Sequence, residues 1–420
     1  MCDGAPSWFL VNGVQSDGPV RMRFLYANDC HASLSLQIDG REVALRVTGT
    51  TPRVLELSTN SCETRRRIPY SVVNQGVTLL RGEYPVVPKS CKDDLDICFY
   101  SCNDAATARK DLVPKWHKPL KPYFLSRCNY DTSLWRQAMG SDLVVCLGDF
   151  IYADSVYDDF VKSRIDIEEV RRRIALLYRL AFTEPAQQAV MTTSCCACIL
   201  DDHEVANGYG TGKNTPANGA FAAYMHAALG VYRTHAGALS GRRNVGDEGW
   251  CLSFGKYNFI AVDMRTELYR SGAIFTPRSI ARTISQYDRK RHNILLLPRP
   301  LDAVNPLLSW YEPDTTLHIN QIRGTICLVL ALRLLPGIQI VAGDVHGCYA
   351  SRAFGIPQFV TSGINVPTVY DAVPAVRVFK CVSDSLNELL MPKRHNASKY
   401  NNLAKLHGGS MTFVTKARCP

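Results

Sequence analysis

The spacing of hydrophobic and polar positions changes near residue 92. Before it, apolar and polar residues alternate in short segments such as SLSLQID, EVALRVT and RVLELST, and turn residues separate these segments. Alternation of this kind predicts half-buried β-strands, and no helical spacing intervenes. Pro85, Pro88 and the polar stretch KSCKDD then mark a boundary. The pattern therefore predicts an all-β N-terminal domain over residues 1–92, with a small β-sandwich as its architecture.

From residue 93 to residue 420, short apolar runs alternate with helical patterns. Helices are predicted at 168–182, at about 217–235 and at 320–335. The apolar runs are ICFYSC (97–102), LVVCLGD (143–149), ACILDD (197–202), FIAVD (259–263), IQIVAGD (338–344) and FVTSG (359–363). Alternation of strands and helices is typical of βαβ units around a largely parallel sheet, so this second domain is predicted to be α/β.

Two stretches of the second domain carry neither pattern. Residues 276–300 are rich in Arg and Pro and are predicted to be a long connection. The tail after about residue 390 contains mainly Lys, Asn and His and is predicted to be irregular.

The composition is that of a globular protein with a positive net charge. The 420 residues are 46% hydrophobic and 20% charged, which argues against disorder. The net charge of +10 suits polyanionic partners, from phosphate esters to nucleic acid, without choosing among them. The densest basic runs, at 65–67 and 171–173, are short and are interpreted as solvated surfaces.

The cysteines and the apolar segments indicate the compartment. Sixteen cysteines occur without a pair of CxxC motifs, and the opening MCDGAPSWFLVNG has no basic and apolar regions typical of a signal peptide. The longest apolar stretch, 326–341, is interrupted by Arg333, Pro336 and Gly337 and is about four residues too short to span a membrane. Reduced thiols, a cytoplasmic location and no membrane span are the expectation.

Four of the apolar runs end in side chains that can bind metal ions. The loops at the carboxyl ends of parallel strands meet at one edge of a sheet, so residues there lie close in space although they are distant in sequence. A carboxylate after a buried strand must be solvated, paired or metal-bound, and four such endings together indicate a site. The residues concerned are Cys102, Asn103 and Asp104; Asp149, Tyr152 and Asp154; Asp201, Asp202, His203 and Glu204; and Asp344 and His346.

Three of these endings resemble a known family. GDFIYAD, DDHEVANGYG and AGDVH are similar, in this order, to the three signature motifs of the PhoD-like alkaline phosphatases, a branch of the calcineurin-like metallophosphoesterases. The resemblance covers roughly residues 93–370. It implies a metallophosphoesterase-type β-sandwich core flanked by helices, and family members often carry an N-terminal β-sandwich. Supporting matches are SCN after the first core strand, LYR at 177–179, VDMR at 262–265 and TSG at 361–363.

The resemblance implies a centre of two or more metal ions. Fe³⁺ is expected together with Ca²⁺, and Zn²⁺ or Mn²⁺ are alternatives. Thiolate and phenolate ligands suit a trivalent or borderline metal, whereas carboxylates suit a hard ion such as calcium. The implied ligands are Asp149 as the bridging carboxylate, Asp202, Asp344, His346, and Cys102 and Tyr152 for iron.

The remaining motif residues are assigned to the substrate. His203 is expected to protonate the leaving group, with coordination of a metal as the alternative, and Asp201 and Glu204 are expected to favour its protonated form. Arg265 is expected to clamp phosphate oxygens, and its alternative is a salt bridge to Asp263 or a neighbour. Asp201 is assigned to substrate binding with Arg265.

One departure bears on the first metal. The first core strand of the broader superfamily ends in Asp-x-His, whereas here it ends in Ser101-Cys102-Asn103-Asp104. If Cys102 is only a buried thiol, the metal content differs from the expected one.

These features predict hydrolysis of phosphate mono- or diesters by a hydroxide that two metal ions activate. The alternative from another class is a catalytically silent scaffold or polyanion-binding protein, and nucleic-acid binding is supported by net charge alone. A scaffold has no physical need for Asp149, Asp202, His203, Asp344 and His346 together, which favours the enzyme.

Overall fold

A computed structural model describes the chain in segments. They are residues 8–11, 20–26, 34–38, 41–43, 46–48, 53–59, 66–74, 76–87, 91–105, 132–211, 219–240, 242–243, 248–302, 316–344, 348–361, 395–396, 402–408 and 410–415.

The described residues of the N-terminal region form only β-strands and a turn, as predicted. Its strands form two four-stranded antiparallel sheets, with the orders β1-β2-β6-β5 and β4-β3-β7-β8. The strands are β1 (Trp8–Val11), β2 (Val20–Tyr26), β3 (Leu34–Ile38), β4 (Arg41–Val43), β5 (Arg46–Thr48), β6 (Arg53–Thr59), β7 (Arg66–Asn74) and β8 (Val77–Val86).

The second part of the chain contains two larger sheets. In the five-stranded sheet, order β11-β10-β9-β20-β21, the first three strands are parallel and the last two form an antiparallel hairpin. The strands are β9 (Ile97–Tyr100), β10 (Leu143–Cys146), β11 (Cys195–Cys198), β20 (Asn402–His407) and β21 (Ser410–Thr415).

The eight-stranded sheet has the order β12-β13-β14-β15-β16-β18-β17-β19, and the four strands from β14 to β18 in that order are parallel. Its strands are β12 (Arg242–Arg243), β13 (Trp250–Phe254), β14 (Tyr257–Ala261), β15 (His292–Leu297), β16 (Gln339–Ala342), β17 (Tyr349–Ala353), β18 (Ile356–Val360) and β19 (His395–Asn396).

The two larger sheets pack face to face as a sandwich. Side chains alternate across a strand, so every second residue points to the same face. Phe99 and Val145 of one sheet share an apolar core with Phe259 and Leu296 of the other, whereas their neighbours point outward to the helices. Buried strands with apolar residues on both faces explain the continuous apolar runs in the sequence.

Helices cover both outer faces of this sandwich. The first five pack on the five-stranded sheet and the last three on the eight-stranded sheet. They are α1 (Thr132–Ala138), α2 (Asp154–Val161), α3 (Ile167–Phe182), α4 (Pro185–Met191), α5 (Ala220–Thr234), α6 (Arg265–Ser271), α7 (Pro277–Ser285) and α8 (Ile322–Arg333). This arrangement confirms the expected β-sandwich core flanked by helices, and α3, α5 and α8 confirm the three predicted helices.

Two sequence predictions about irregular segments were wrong. Residues 276–300 contain α7, which Thr276 caps by accepting the Ser279 amide, and then β15, whose apolar Ile294–Leu297 run joins the eight-stranded sheet. The tail contains the hairpin β20–β21. Ala404 and Leu406 of β20 are buried beside β9, and this burial offsets the polar character of their neighbours.

The second N-terminal sheet contacts the core directly. Tyr70 donates a hydrogen bond from its hydroxyl to the carbonyl of Thr192 at 2.8 Å, and Arg67 donates to the carbonyl of Thr193 at 2.8 Å. Leu36 and Ile68 belong to the apolar core that the two larger sheets share. The domain boundary at 92/93 stays a prediction.

No helix in the described part of the chain is both long and apolar enough to cross a membrane.

Candidate metal centre

The loops that follow β9, β10, β11 and β16 meet at one edge of the sandwich. The amide of Cys102 donates to the carbonyl of Gly148 at 3.2 Å, and the amide of Asn103 donates to the carbonyl of Asp149 at 2.8 Å. The next loop joins through Ala153, whose amide donates to the carbonyl of His203 at 2.9 Å. The strand ends predicted to converge therefore do converge.

Four carboxylates from three of these loops form one buried cluster. Asp149, Asp201, Asp202 and Asp344 each present an oxygen within 4.8 Å of the others. All four are buried, and Oδ1 of Asp149 and Oδ2 of Asp201 have no hydrogen-bond partner among the described residues. Burial, with the surrounding carboxylates, raises the pKa of Asp149 well above its usual range. A cation bound among these oxygens would reverse that shift, so the cluster fits a metal site.

The backbone is strained at three of these strand ends. Cys102, Asp149 and Asp344 have φ values of 51°, 55° and 66°. Left-handed backbone is uncommon for residues other than glycine and is concentrated at functional sites. The turns hold the thiol and the two carboxylates at the sheet edge at the expense of local stability.

Two glycines allow the loops to approach each other closely. A Cβ atom at Gly148 would lie 2.4 Å from the Cβ of Asp201, and one at Gly343 would lie 2.8 Å from the Cβ of Ser101. Gly148 also has a φ of 99°, which side chains rarely adopt. Each glycine directly precedes an aspartate of the cluster. The same turn therefore contains the glycine that allows the close approach and the carboxylate at the sheet edge.

Cys102 and Tyr152 lie together beside the carboxylates. The Tyr152 hydroxyl donates to Oδ2 of Asp149 at 3.3 Å, and Sγ of Cys102 lies 3.7 Å from the carbonyl oxygen of Asp344. The two side chains contact each other and are fully buried. Burial, reinforced by nearby negative charge, raises the pKa of both groups, so each is protonated unless a cation is close. The structure thus places both expected iron ligands at the cluster.

His203 is oriented by Asp154, the first residue of α2. Nδ1 of His203 lies 2.8 Å from Oδ2 of Asp154, while the other oxygen of Asp154 accepts the Asn207 amide at 2.8 Å. The imidazole packs on the ring of Tyr152 with 4.4 Å between centroids. Burial alone would lower the pKa of His203, but the charge of Asp154, with those of two cluster carboxylates, raises it well above 6.5. Asp154 therefore favours the protonated form of His203, an effect that the sequence analysis expected from Asp201 and Glu204.

Glu204 joins two of the loops instead. Its carboxylate accepts the amide of Phe150 at 2.6 Å and the amide of Asp201 at 2.9 Å. Burial, with the charge of Asp201, raises the pKa of Glu204 to about 7, although the bond from Phe150 opposes the shift. The contact fixes the loop of Asp149 relative to the loop of Asp202.

Arg265 is sealed behind the cluster. It forms ion pairs with Asp201 and, at 2.9 Å, with Asp202, and its side chain is only 2% exposed. Burial favours the neutral form of Asp202, but the charge of Arg265 outweighs it and the pKa is lowered. Asp263 holds the start of α6 by accepting the Thr266 amide at 2.8 Å. Arg265 is thus paired with carboxylates, as in the salt-bridge alternative. The expectation that Arg265 and Asp201 bind phosphate stays a prediction.

A second arginine, Arg299, was missed by the sequence analysis. It follows β15 and forms an ion pair with Asp344. The apolar run of residues 294–297, followed by Pro298-Arg299-Pro300, is a strand ending in a charge, but the arginines and prolines around it concealed that signal.

One expected site residue, Asn103, directs its side chain elsewhere. The side-chain amide of Asn103 donates to Gln187 at 2.8 Å and is used in the protein core. His346, and residues 362 and 363 of the TSG match, lie outside the described residues.

Comparison with known proteins finds a matching family model for part of the chain and a similar fold. A family model described as PhoD-like phosphatase matches residues 129–292. A solved structure described as "Structure of PhoD" superimposes with a TM-score of 0.69 at 14% identity, covering 99% of this chain and 90% of that chain. A second, "GAP50 the anchor in the inner membrane complex of Plasmodium", covers 77% of this chain and 85% of that one at 8% identity, with a TM-score of 0.36. No curated protein matches the sequence.

Proposed function

Because the chain carries a PhoD-like phosphatase domain and shares the fold of PhoD, we propose that it hydrolyses phosphate esters at the cluster of strand-end carboxylates. The observation that carries this proposal is the set of four buried carboxylates whose oxygens lie within 4.8 Å of one another. Four buried negative charges are costly unless cations neutralise them. Two bound metal ions would neutralise them and are the usual catalysts of phosphoester hydrolysis.

The chemistry of the donors supports an assignment of the residues that would hold the metals. Asp149 is central, because its oxygens lie near Asp202 and Asp344 and accept from Tyr152. Cys102 and Tyr152 supply sulfur and phenolic oxygen, which suit Fe³⁺, and the carboxylates suit Ca²⁺. Zn²⁺ or Mn²⁺ are the alternative ions, and His346 remains an expected ligand. When bound, the metal ions supply positive charge for the phosphate oxygens and make the attacking water more acidic.

In this proposal, His203 donates a proton to the leaving group. Asp154 holds Nδ1, so the imidazole is fixed in orientation and its other nitrogen is directed away from that bond. A departing alkoxide is a strong base and needs a proton in the transition state. Coordination is the competing role, since a nitrogen of His203 lies within 4.8 Å of oxygens of Asp149 and Asp202.

The scaffold alternative is less well supported by the same geometry. Strained backbone at Cys102, Asp149 and Asp344 and unpaired carboxylate oxygens destabilise a fold and serve no purpose in a silent scaffold. The basic run at 171–173 is engaged in ion pairs with acids of α2 and α3, which does not favour a polyanion-binding surface there.

Replacement of Asp149 tests the proposal. Asn has the same shape and tolerates the left-handed backbone at this position, but it removes the central charge. Asp149→Asn should lose bound metal and at least about 10³-fold in kcat on p-nitrophenyl phosphate or bis(p-nitrophenyl) phosphate. Chelation of the wild-type protein should have the same effect, and added metal should restore the rate.

Asp158→Asn is the matched control, because Asp158 is an exposed carboxylate on α2 that pairs with Lys162. It should retain metal and rate. Full activity of the metal-free wild-type protein would contradict the proposal. Elemental analysis of the same samples identifies the ions: iron with calcium supports the assignment of Cys102 and Tyr152, and zinc or manganese alone contradicts it.

A further inference from the structure

Two arginines contact the carboxylate cluster, and they differ in access to solvent. Arg265 is sealed, with 2% of its side chain exposed, whereas Arg299 is 17% exposed. Both form ion pairs with cluster carboxylates, Arg265 with Asp201 and Asp202 and Arg299 with Asp344. A molecule that approaches the cluster from solvent can therefore reach Arg299 but not Arg265.

Hydrogen bonds from buried side chains fix the loop that carries Arg299. The side chain of Gln358, fully buried on β18, accepts the Leu301 amide at 2.8 Å and donates to the carboxylate of Asp302. The Thr316 hydroxyl lies 3.1 Å from the carbonyl oxygen of Pro300 and 3.0 Å from that of Leu301. Side chains that must meet a reacting group are commonly fixed in this way by a second layer of hydrogen bonds.

We propose that Arg299 binds the non-bridging oxygens of the phosphoryl group, both in the substrate and in the inorganic phosphate product. The inference rests on the proposed function, because it assigns a ligand of that site. A guanidinium group carries five N–H donors in a planar fork that matches two phosphate oxygens, so a contact to a carboxylate and a contact to phosphate are compatible. A phosphate anion next to four carboxylates also requires an accessible positive charge beside it.

Inorganic phosphate is the probe for this role. Binding of phosphate to the metal-loaded protein is measured by calorimetry, and competitive inhibition of p-nitrophenyl phosphate hydrolysis is measured in parallel. Arg299→Met should weaken phosphate binding about 10- to 100-fold and raise KM by a similar factor, because a charge-assisted contact is lost. Metal content should stay at the wild-type level, and Arg299→Lys should restore part of the affinity by its charge.

Arg291→Met is the matched control. Arg291 lies at the opposite end of β15, is also 17% exposed, and pairs through Nε with Asp288 at 3.0 Å. It should bind phosphate as the wild type does.

The outcomes separate the inference from the proposed function. If Arg299→Met binds phosphate as tightly as the wild type, or loses metal instead, Arg299 only supports Asp344 and the inference is wrong, whatever the hydrolytic activity. If the wild type binds phosphate through Arg299 without hydrolysing any ester, the inference holds and the proposed function fails. A wild-type protein that neither binds phosphate nor hydrolyses esters overturns both.

Discussion

His203 can act on the leaving group or on a metal ion, and substrates with different leaving groups distinguish these roles. A nitrophenolate departs without a proton, whereas an alkoxide needs one. His203→Ala should therefore keep its metals and lose about 10²–10⁴-fold more rate on an alkyl phosphate than on a nitrophenyl phosphate. The measurement is kcat on both substrates together with metal content.

Asp154→Asn is the companion variant for this test, because Asp154 orients His203 at 2.8 Å without belonging to the carboxylate cluster. It should show the same dependence on the leaving group with a smaller loss. Equal losses on both substrates, accompanied by loss of metal from His203→Ala, would assign the imidazole to coordination.

For single residues, the sequence predicts which side chains reach the site better than it predicts which groups they contact there. Cys102, Asp149 and Tyr152 were expected to meet because each follows a buried apolar run, and strand ends meet at a sheet edge. The partner of Arg265 depends on which loop packs behind it, and the sequence offered Asp263 and a phosphate equally well. Arg299 follows the same strand-end rule, but it was hidden by the prolines beside it.

A buried histidine at the end of α5 makes the stability of the helical layer depend on pH. His235 is 4% exposed, its Nδ1 lies 2.8 Å from the carbonyl oxygen of Val231, and its ring stacks on Tyr178 of α3. Burial, opposed in part by the bond to Val231, lowers the pKa of His235 to about 4. Between pH 6.5 and pH 4 the unfolded chain binds a proton that the folded protein does not, so stability falls as the pH falls.

The expected loss in the free energy of unfolding is about 2–3 kcal/mol between pH 7 and pH 4.5. Urea unfolding at a series of pH values measures it. His235→Gln should remove this part of the pH dependence, because an amide can donate to the same carbonyl and does not titrate. His226→Gln, at an exposed position of the same helix, should leave the dependence unchanged. Equal slopes for the wild type and His235→Gln would refute the prediction.

Helices and strands were predicted correctly where buried apolar residues recur at regular spacing in their sequence. α3 has a stripe of Val170, Ile174, Leu177 and Ala181, and Asp166 caps its start by accepting the Glu169 amide. By contrast, β20 alternates buried Ala404 and Leu406 with half-buried or exposed polar residues, and its partner β9 is remote in the chain. A strand whose stability comes from such a distant partner has little local signal.

The predicted domain boundary at 92/93 separates two parts of the molecule that also contact each other through the second N-terminal sheet. Lys92, Asp93 and Asp94 are exposed, so trypsin should cut after Lys92. The two fragments should nevertheless elute together in size-exclusion chromatography, because Tyr70 and Arg67 hydrogen-bond to the core and Ile68 shares its apolar cluster. They should separate only under denaturing conditions.

Lys92→Gln is the control for the position of the cut and should protect this site. Fragments that separate without denaturant would indicate two domains joined only by a linker. No cut at Lys92 in the wild type would indicate that the junction is closed to the protease.

The pairing of β20 with β9 has a consequence for folding during synthesis on the ribosome. Phe99 is made on the order of 300 residues before its partner Ala404. At typical rates of translation, the edge of β9 waits roughly 15 to 60 seconds for the strand that covers it. During that time the edge of this apolar strand, which leads directly to Cys102, has backbone N–H and C=O groups that can pair with another polypeptide. We therefore expect the nascent chain to aggregate less when a chaperone covers the unfinished sheet until β20 and β21 are made.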